Sequence, residues 1–207
     1  IALVAGPAIV RTGACQHLVR LIEAGFVDRL FAGNPFAGYD VERALFGTSL
    51  GISLDLAFAR GGRENVMRAV NAIRQAGSLG AAVKQNILNS GIMHACVRNN
   101  VDIVLTGSIR DEGSIPGATT DAIEGQKLLR EKLTDVTHAL LLASIRHSLA
   151  VVSMLPPTTK IVCVDIDSSA VERVVEQQPL QSIGMITDVE PFLRELADCL
   201  TGSKVSQ

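Results

Sequence analysis

The first eight residues combine a buried-strand pattern with a glycine, and this combination constrains the fold most. Residues 1–5 are small and apolar, as expected of a parallel strand covered on both faces. Gly6 ends this strand where a ligand can approach the backbone, and a helix predicted over 13–24 points its free N–H groups at the same place. In α/β folds this arrangement holds the phosphates of a dinucleotide. Because the sequence lacks an initial Met and begins inside a strand, we expect a fragment or processed part of a longer protein.

The composition favours one α/β domain and argues against several classes of partner. A chain of 207 residues buries roughly 70% of its unfolded surface, and its hydrophobic residues are aliphatic, with only 3% aromatic. The net charge of −2, with scattered basic residues, gives no basis for binding nucleic acid or an anionic membrane. No apolar stretch reaches the roughly 20 residues that cross a bilayer. The four cysteines lack metal-ligand spacing, so we expect reduced thiols, no bound metal and a cytoplasmic location.

Short apolar runs alternate with amphipathic stretches along the chain, which predicts a three-layer α/β fold with a mostly parallel sheet. The predicted strands are 1–5, 28–32, 102–106, 138–143, 160–164 and 182–185. The predicted helices are 13–24, 40–46, 63–76, 78–86, 90–98, 119–131, 145–154, 168–176 and 189–200. We expect residues 1–200 to form this domain and residues 201–207 to form a disordered tail.

Small, polar or acidic residues directly follow the predicted strands, where ligands bind in open parallel sheets. We therefore expect a cofactor site made of Gly6, Pro7, Ala8, Gly33, Asn34, Gly107, Ser108, Ser144, Asp165 and Asp188. Asn34 stands where a dinucleotide-binding domain places its ribose ligand, although Asn before Pro35 is also typical of a turn. Asp165 is the better candidate for the ribose, and its alternative role is a helix cap together with Asp167.

Two further places carry groups suited to catalysis. In the loop after the third strand, Arg110 can hold a carboxylate, and Asp111 or Glu112 can bind an amine or act as a base. The alternative is a solvated surface loop. His147 can move a proton near neutral pH, or it can be a packing residue with satisfied hydrogen bonds. The sequence has no GxSxG, Walker or HExxH motif, which leaves nicotinamide chemistry as the favoured class.

Several segments together resemble one known family. The most specific are ALFGTSLG at 44–51 and GSIRDEG at 107–113, supported by GPA at 6–8, AGN at 32–34, SGIM at 90–93, residues 148–155 and VCVDID at 162–167. The family is the conserved domain named after bifunctional lysine-ketoglutarate reductase/saccharopine dehydrogenase (LOR/SDH). It includes archaeal-type ornithine cyclodeaminases and the C-terminal part of arginine dihydrolase/ornithine cyclodeaminases. The resemblance extends from residue 1 to about residue 200.

The resemblance implies an NAD-binding Rossmann-like domain that follows a smaller domain in the complete protein. It also implies conversion of L-ornithine to L-proline and ammonia, with transient transfer of a hydride to NAD. On this reading Asp111 pairs with the substrate amine, Arg110 pairs with its carboxylate, and His147 or Lys84 moves protons. The order of the motifs is similar, more distantly, to that of deoxyhypusine synthase, which places Asn34, Asp165 and Asp188 at cofactor contacts.

Two other functions remain open from the sequence. A saccharopine-type or other amino-acid dehydrogenase would use the same cofactor site but accumulate NADH. A module that binds NAD without catalysis would have only the fold in common with these enzymes. The Asp165 carboxylate favours NAD over NADP because it would repel a 2′-phosphate, and we expect the protein to form a homo-oligomer.

Overall fold

A parallel sheet of six strands is the centre of the described part of the chain. The computed structural model describes residues 1–53, 62–107, 111 and 113–202. The strands are β1 (Ala2–Ala5), β2 (Arg29–Gly33), β3 (Thr48–Ser49), β4 (Ile52–Ser53), β5 (Asp102–Thr106), β6 (His138–Leu142), β7 (Lys160–Asp165) and β8 (Ser182–Ile186). β3 and β4 form a separate antiparallel hairpin, and the large sheet has the order β5-β2-β1-β6-β7-β8 with every neighbouring pair parallel. Among the six strands of the sheet this is the order 3-2-1-4-5-6 of dinucleotide-binding folds.

The parallel register brings the carboxyl ends of all six strands to one edge of the sheet, which we call the rim. Ala5 of β1 pairs with Ala32 of β2 on one side and with Leu142 of β6 on the other. The chain order reverses between β1 and β6, and we call the gap between their ends the switch point. The expectation that the residues after these strands share one rim is confirmed.

Helices cover both faces of the sheet. They are α1 (Ala8–Arg11), α2 (Ala14–Glu23), α3 (Asn34–Phe46), α4 (Glu64–Ala76), α5 (Leu79–Lys84), α6 (Ile92–Arg98), α7 (Ala122–Leu133), α8 (Ile145–Val152), α9 (Ser168–Gln177) and α10 (Val189–Thr201). Alternate side chains of each strand enter opposite layers: Leu3 packs with the layer of α1–α6 and α10, whereas Val4 packs with α7–α9. The four residues of β1 are all buried, as the sequence predicts for a strand covered on both faces.

Three local expectations differ from the structure. α3 begins at Asn34 rather than at residue 40, because Pro35 is compatible with the first turn of a helix, where its missing N–H is not needed. A one-turn helix, α1, lies between β1 and the predicted second helix. Thr201 still belongs to α10, so the predicted tail does not begin there, and residues 203–207 lie outside the described part of the chain.

The described residues also bear on membrane and metal binding. No helix among them is both long and apolar enough to cross a membrane. The same residues contain no group of three His, Cys, Asp or Glu side chains placed to hold a metal ion. All four cysteines are free thiols; Cys15, Cys96 and Cys163 are buried and Cys199 is exposed.

Candidate functional site

The backbones of β1 and β6 touch at the switch point. The Gly6 N–H donates to the carbonyl oxygen of Leu142 at 2.8 Å. A Cβ placed on Gly6 would lie 1.7 Å from the carbonyl oxygen of Ala143, so only glycine fits. Ala143 itself has a φ of 48°, a left-handed conformation that residues with side chains seldom adopt. The sharp turn after β6 and the backbone of Gly6 after β1 therefore lie in contact at the switch point.

Helices near the switch point begin without a side-chain cap, unlike those farther along the rim. α1, α3 and α8 start after Pro7, Gly33 and Ser144, and none of these residues bonds to the helix N–H groups through its side chain. In contrast, Asp167 and Asp188 cap α9 and α10. N–H groups left open at helix starts attract phosphate and other anions. The starts of α3 and α8 therefore leave N–H groups available to an anion, whereas at α1 the N–H groups of Ile9 and Val10 donate to the carbonyl oxygens of Gly6 and Pro7.

His147 lies near the ends of three strands beside the switch point. Its Nε2 lies 3.1 Å from the Thr106 hydroxyl at the end of β5, and its Nδ1 lies 3.1 Å from the Ser144 hydroxyl after β6. The ring also lies over Gly33 at the end of β2, where an added Cβ would be 2.9 Å from His147 Cε1. Sequence reasoning missed Thr106; its place as the last strand residue before Gly107 is the signal that could have identified it.

Asp111 is the acidic neighbour of this histidine. A Cβ on Gly107 would lie 3.3 Å from Asp111 Oδ2, which places the carboxylate at the end of β5. Burial lowers the pKa of His147 below its usual 6.5, Asp111 raises the pKa, and Arg146 lowers it again. His147 is therefore neutral near pH 7, with one ring nitrogen able to donate and the other able to accept.

Asn34, the predicted ribose contact, makes two hydrogen bonds to backbone groups. Its Nδ2 donates to the carbonyl oxygen of Gly113 at 2.7 Å, and its Oδ1 accepts from the Ile115 N–H at 2.7 Å. The residue is 2% exposed. Because both polar atoms of the amide are used by backbone groups, Asn34 fastens the segment after the 108–112 loop to the start of α3. The turn before Pro35 that the sequence suggested is also absent, since Asn34 is already helical.

The two aspartates at the far side of the rim make local bonds. Asp165 Oδ1 accepts from the Asp167 N–H at 3.0 Å, and Asp167, not Asp165, caps α9, so the shared helix cap that the sequence offered as the alternative is only partly present. Asp188 Oδ1 accepts from the Glu190 N–H at 2.8 Å as the cap of α10. Asp165 is half-buried at the end of β7 and keeps its second carboxylate oxygen for another partner.

The remaining predicted residues are Lys84 and three that the structure does not describe. Ser108 and Arg110, together with Glu112, lie outside the described residues. Lys84 ends α5, whose main neighbours are α4 and α6, and its side chain is exposed. The structure thus joins Gly6, Gly33, Gly107, Asp111, Ser144 and His147 but does not bring Lys84 to them, because α5 belongs to the layer of helices rather than to the rim.

Comparison with known proteins assigns this fold and rim to one family. Residues 1–196 match the family described as arginine dihydrolase ArgZ-like, C-terminal, Rossmann fold. An ornithine cyclodeaminase from Methanocaldococcus jannaschii is 42% identical over 199 residues, which are 96% of this chain and 47% of the relative. The bifunctional arginine dihydrolase/ornithine cyclodeaminase AgrE from Nostoc sp. is 39% identical over 100% of this chain and 30% of that protein.

A solved structure agrees with the match. The ternary complex of AgrE with ornithine and NAD⁺ superposes with a TM-score of 0.91 at 39% identity, over 97% of this chain and 30% of that chain. The chain thus spans about half the length of the archaeal relative and less of the bifunctional one. Both the sequence match and the shared architecture lead to one conclusion: this chain belongs to the ArgZ-like C-terminal Rossmann-fold family.

Proposed function

We propose that the polypeptide carrying this chain is an NAD-dependent ornithine cyclodeaminase, which converts L-ornithine to L-proline and ammonia. The observation that carries the proposal is the 42% identity, over 96% of this chain, to a protein named for that activity. The described complex of a 39% identical protein with ornithine and NAD⁺ supports it. The reaction is redox-neutral overall, since one ammonia is lost and no oxidant is consumed.

The switch point has the groups that a nicotinamide dinucleotide needs. We assign the phosphates to the bare backbone of Gly6, Pro7 and Ala8 and to the open N–H groups at the starts of α3 and α8. Among the described residues, the second carboxylate oxygen of Asp165 has no hydrogen-bond partner and is available to a ribose hydroxyl. Gly107 follows β5 and Asp188 follows β8 at the same rim. When bound, NAD supplies an acceptor and donor for the substrate's hydride. We assign residues 1–200 as the domain that binds it.

The protein's own side chains would position the substrate and handle its protons. We assign Asp111 to the substrate amine, because its carboxylate lies at the rim beside Gly107 and His147. His147 is neutral near pH 7 and bonded to two hydroxyls, so it can accept a proton through Ser144 or Thr106. From the sequence alone, Arg110 would bind the substrate carboxylate and Ser108 the cofactor.

The proposal also includes a further domain, the oligomeric state and the location of the protein. The relatives named as bifunctional carry a further enzyme activity in one chain, so we propose that another domain of the same polypeptide contributes to the site. Exposed Ile183, Met185 and Ile186 on the edge strand β8 support a homo-oligomer. Four free thiols support a cytoplasmic location.

Turnover of L-ornithine by the full-length protein with NAD tests the function. We expect proline and ammonia in equal amounts, with no accumulation of NADH. His147→Gln should lower turnover on the order of 10²-fold, the effect of one acid–base group. His138→Gln is the matched control, because His138 is exposed at the opposite end of β6 and should leave turnover unchanged.

Two other outcomes would replace the proposal. NADH that accumulates with ornithine or another amino acid would indicate a dehydrogenase. Tight binding of NAD without any product would indicate a binding module.

A further inference from the structure

A cavity of about 260 Å³ lies between the end of α1, the end of α3 and the β3–β4 hairpin. Two arginines, Arg11 and Arg43, line it together with Ser49, Leu50 and Ile52. None of the lining residues that the structure describes is acidic. The volume is close to that of small-ligand sites, and its lining combines positive charge with a short apolar wall.

Backbone carbonyl groups fix the position of the Arg43 guanidinium and leave some of its N–H donors unused. Its Nη1 donates to the carbonyl oxygens of Val10 and Thr12, the latter at 3.1 Å. Among the described residues, Nε and Nη2 have no hydrogen-bond partner. Asp40, one turn earlier on the same helix, interacts electrostatically with Arg43, but its carboxyl is fully buried. The guanidinium therefore presents donors whose position is already fixed.

Arg11 completes the positive side of the cavity. Its guanidinium carbon lies 5.6 Å from the centre of the Tyr39 ring, a cation–π contact that orients the group. No carboxylate among the described residues forms an ion pair with it. Two arginines without an ion-pair partner beside one cavity are suited to an incoming anion.

The β3–β4 hairpin forms one wall of the cavity, and a buried carboxylate whose two oxygens already accept hydrogen bonds fixes its position. Glu42 is 0% exposed and accepts from the Thr48 hydroxyl at 2.7 Å, the Leu50 N–H at 2.8 Å and the Gly51 N–H at 2.9 Å. Glu42 therefore shapes the wall rather than neutralising the arginines. Ser49, which lines the cavity, has a buried hydroxyl without a partner among the described residues, as is seen where a ligand supplies the partner.

We propose that this cavity binds a small carboxylate with a short aliphatic chain, at a site separate from the switch point. The carboxylate would bridge Arg11 and Arg43, and its carbon chain would contact Leu50 and Ile52. The described lining residues offer no acidic partner to an ammonium group, so they favour a carboxylate without an amine over ornithine, which has two ammonium groups.

Ligand-observed NMR titration of the full-length protein with butyrate tests the proposal. We expect saturable binding with a Kd on the order of 1 mM, as suits a ligand of six heavy atoms. Arg11→Gln should weaken binding about tenfold, because one charge-assisted bond is lost. Arg43→Lys is a second variant that keeps the charge but loses the fork of donors, and it should weaken binding to a similar extent. Arg68→Gln, an exposed arginine on α4, should have no effect.

The other arms distinguish the alternatives. Saturating NAD should leave the butyrate affinity unchanged, and the proposal fails if NAD competes, because the cavity would then belong to the cofactor site. The proposal is also overturned if inorganic phosphate binds and butyrate does not, if butylamine binds as well as butyrate, or if Arg11→Gln binds butyrate as the parent protein does.

Discussion

Gly6→Ala should destabilise the protein strongly, because the new methyl group meets backbone rather than a side chain. The added Cβ would lie 1.7 Å from the Ala143 carbonyl oxygen, so the atoms must separate by about 1.3 Å to reach the 3.0 Å limit of real contacts (3.0 minus 1.7). Overpacking of this kind costs about 1–3 kcal/mol, and weakening the Gly6–Leu142 hydrogen bond adds about 1 kcal/mol. At about 2–4 °C per kcal/mol for a chain of this size, we expect a Tm lower by roughly 4–16 °C.

Thermal unfolding followed by far-UV circular dichroism measures this shift. Gly80→Ala is the matched control: Gly80 lies inside α5, and its added Cβ has only the Ser78 hydroxyl nearby, at 3.9 Å. That variant should be neutral or stabilised by about 0.5–1 kcal/mol. A Tm of Gly6→Ala within about 1 °C of the parent would refute the close approach of β1 and β6, since about 1 °C is less than 0.5 kcal/mol.

Three further changes test the contacts around the site. Asn34→Ala removes two buried hydrogen bonds and leaves the Ile115 N–H unpaired, so we expect a loss of about 2–4 kcal/mol in urea unfolding. Burial lowers the pKa of His147, so the contribution of the neutral ring to the free energy of unfolding is complete above pH 6.5 and is lost as pH falls below that value. The difference in free energy of unfolding between the parent and His147→Gln should therefore narrow as pH falls from 7.5 to 5. Burial raises the pKa of Asp40 from 3.8 to about 6, so the contribution of Asp40 to the free energy of unfolding should fall by about 3 kcal/mol as pH rises across this interval. The difference in free energy of unfolding between the parent and Asp40→Asn should change by that amount.

The sheet could be predicted from the sequence because its strands are apolar runs separated by amphipathic helices. Parallel strands then place the residues after each strand on one rim, whatever their order in the sheet. The start of α3 was missed because Asn34-Pro35 is compatible with both a turn and a helix start. The β3–β4 hairpin has strands of two residues, too short to give a periodic pattern.

Which rim residues face a ligand could not be predicted, because each polar side chain has competing local partners. Asp188 satisfies the start of α10, and Asn34 binds two backbone groups of a segment 79 and 81 residues farther along the chain. The bond between His147 and Thr106 spans 41 residues and depends on β2 and β1 lying between their strands. Such pairings follow from the order of the strands in the sheet, which the alternation of strands and helices along the sequence does not determine.

Hydrogen–deuterium exchange of the full-length protein, with and without NAD, tests most directly whether the cofactor lies at the switch point. The open helix starts after Gly33 and Ser144 should gain protection on NAD addition, because their N–H groups would bond to phosphate. The capped starts of α9 and α10 should change far less. Protection confined to α9 and α10, with residues 36–37 and 145–147 unchanged under saturating NAD, would contradict the site.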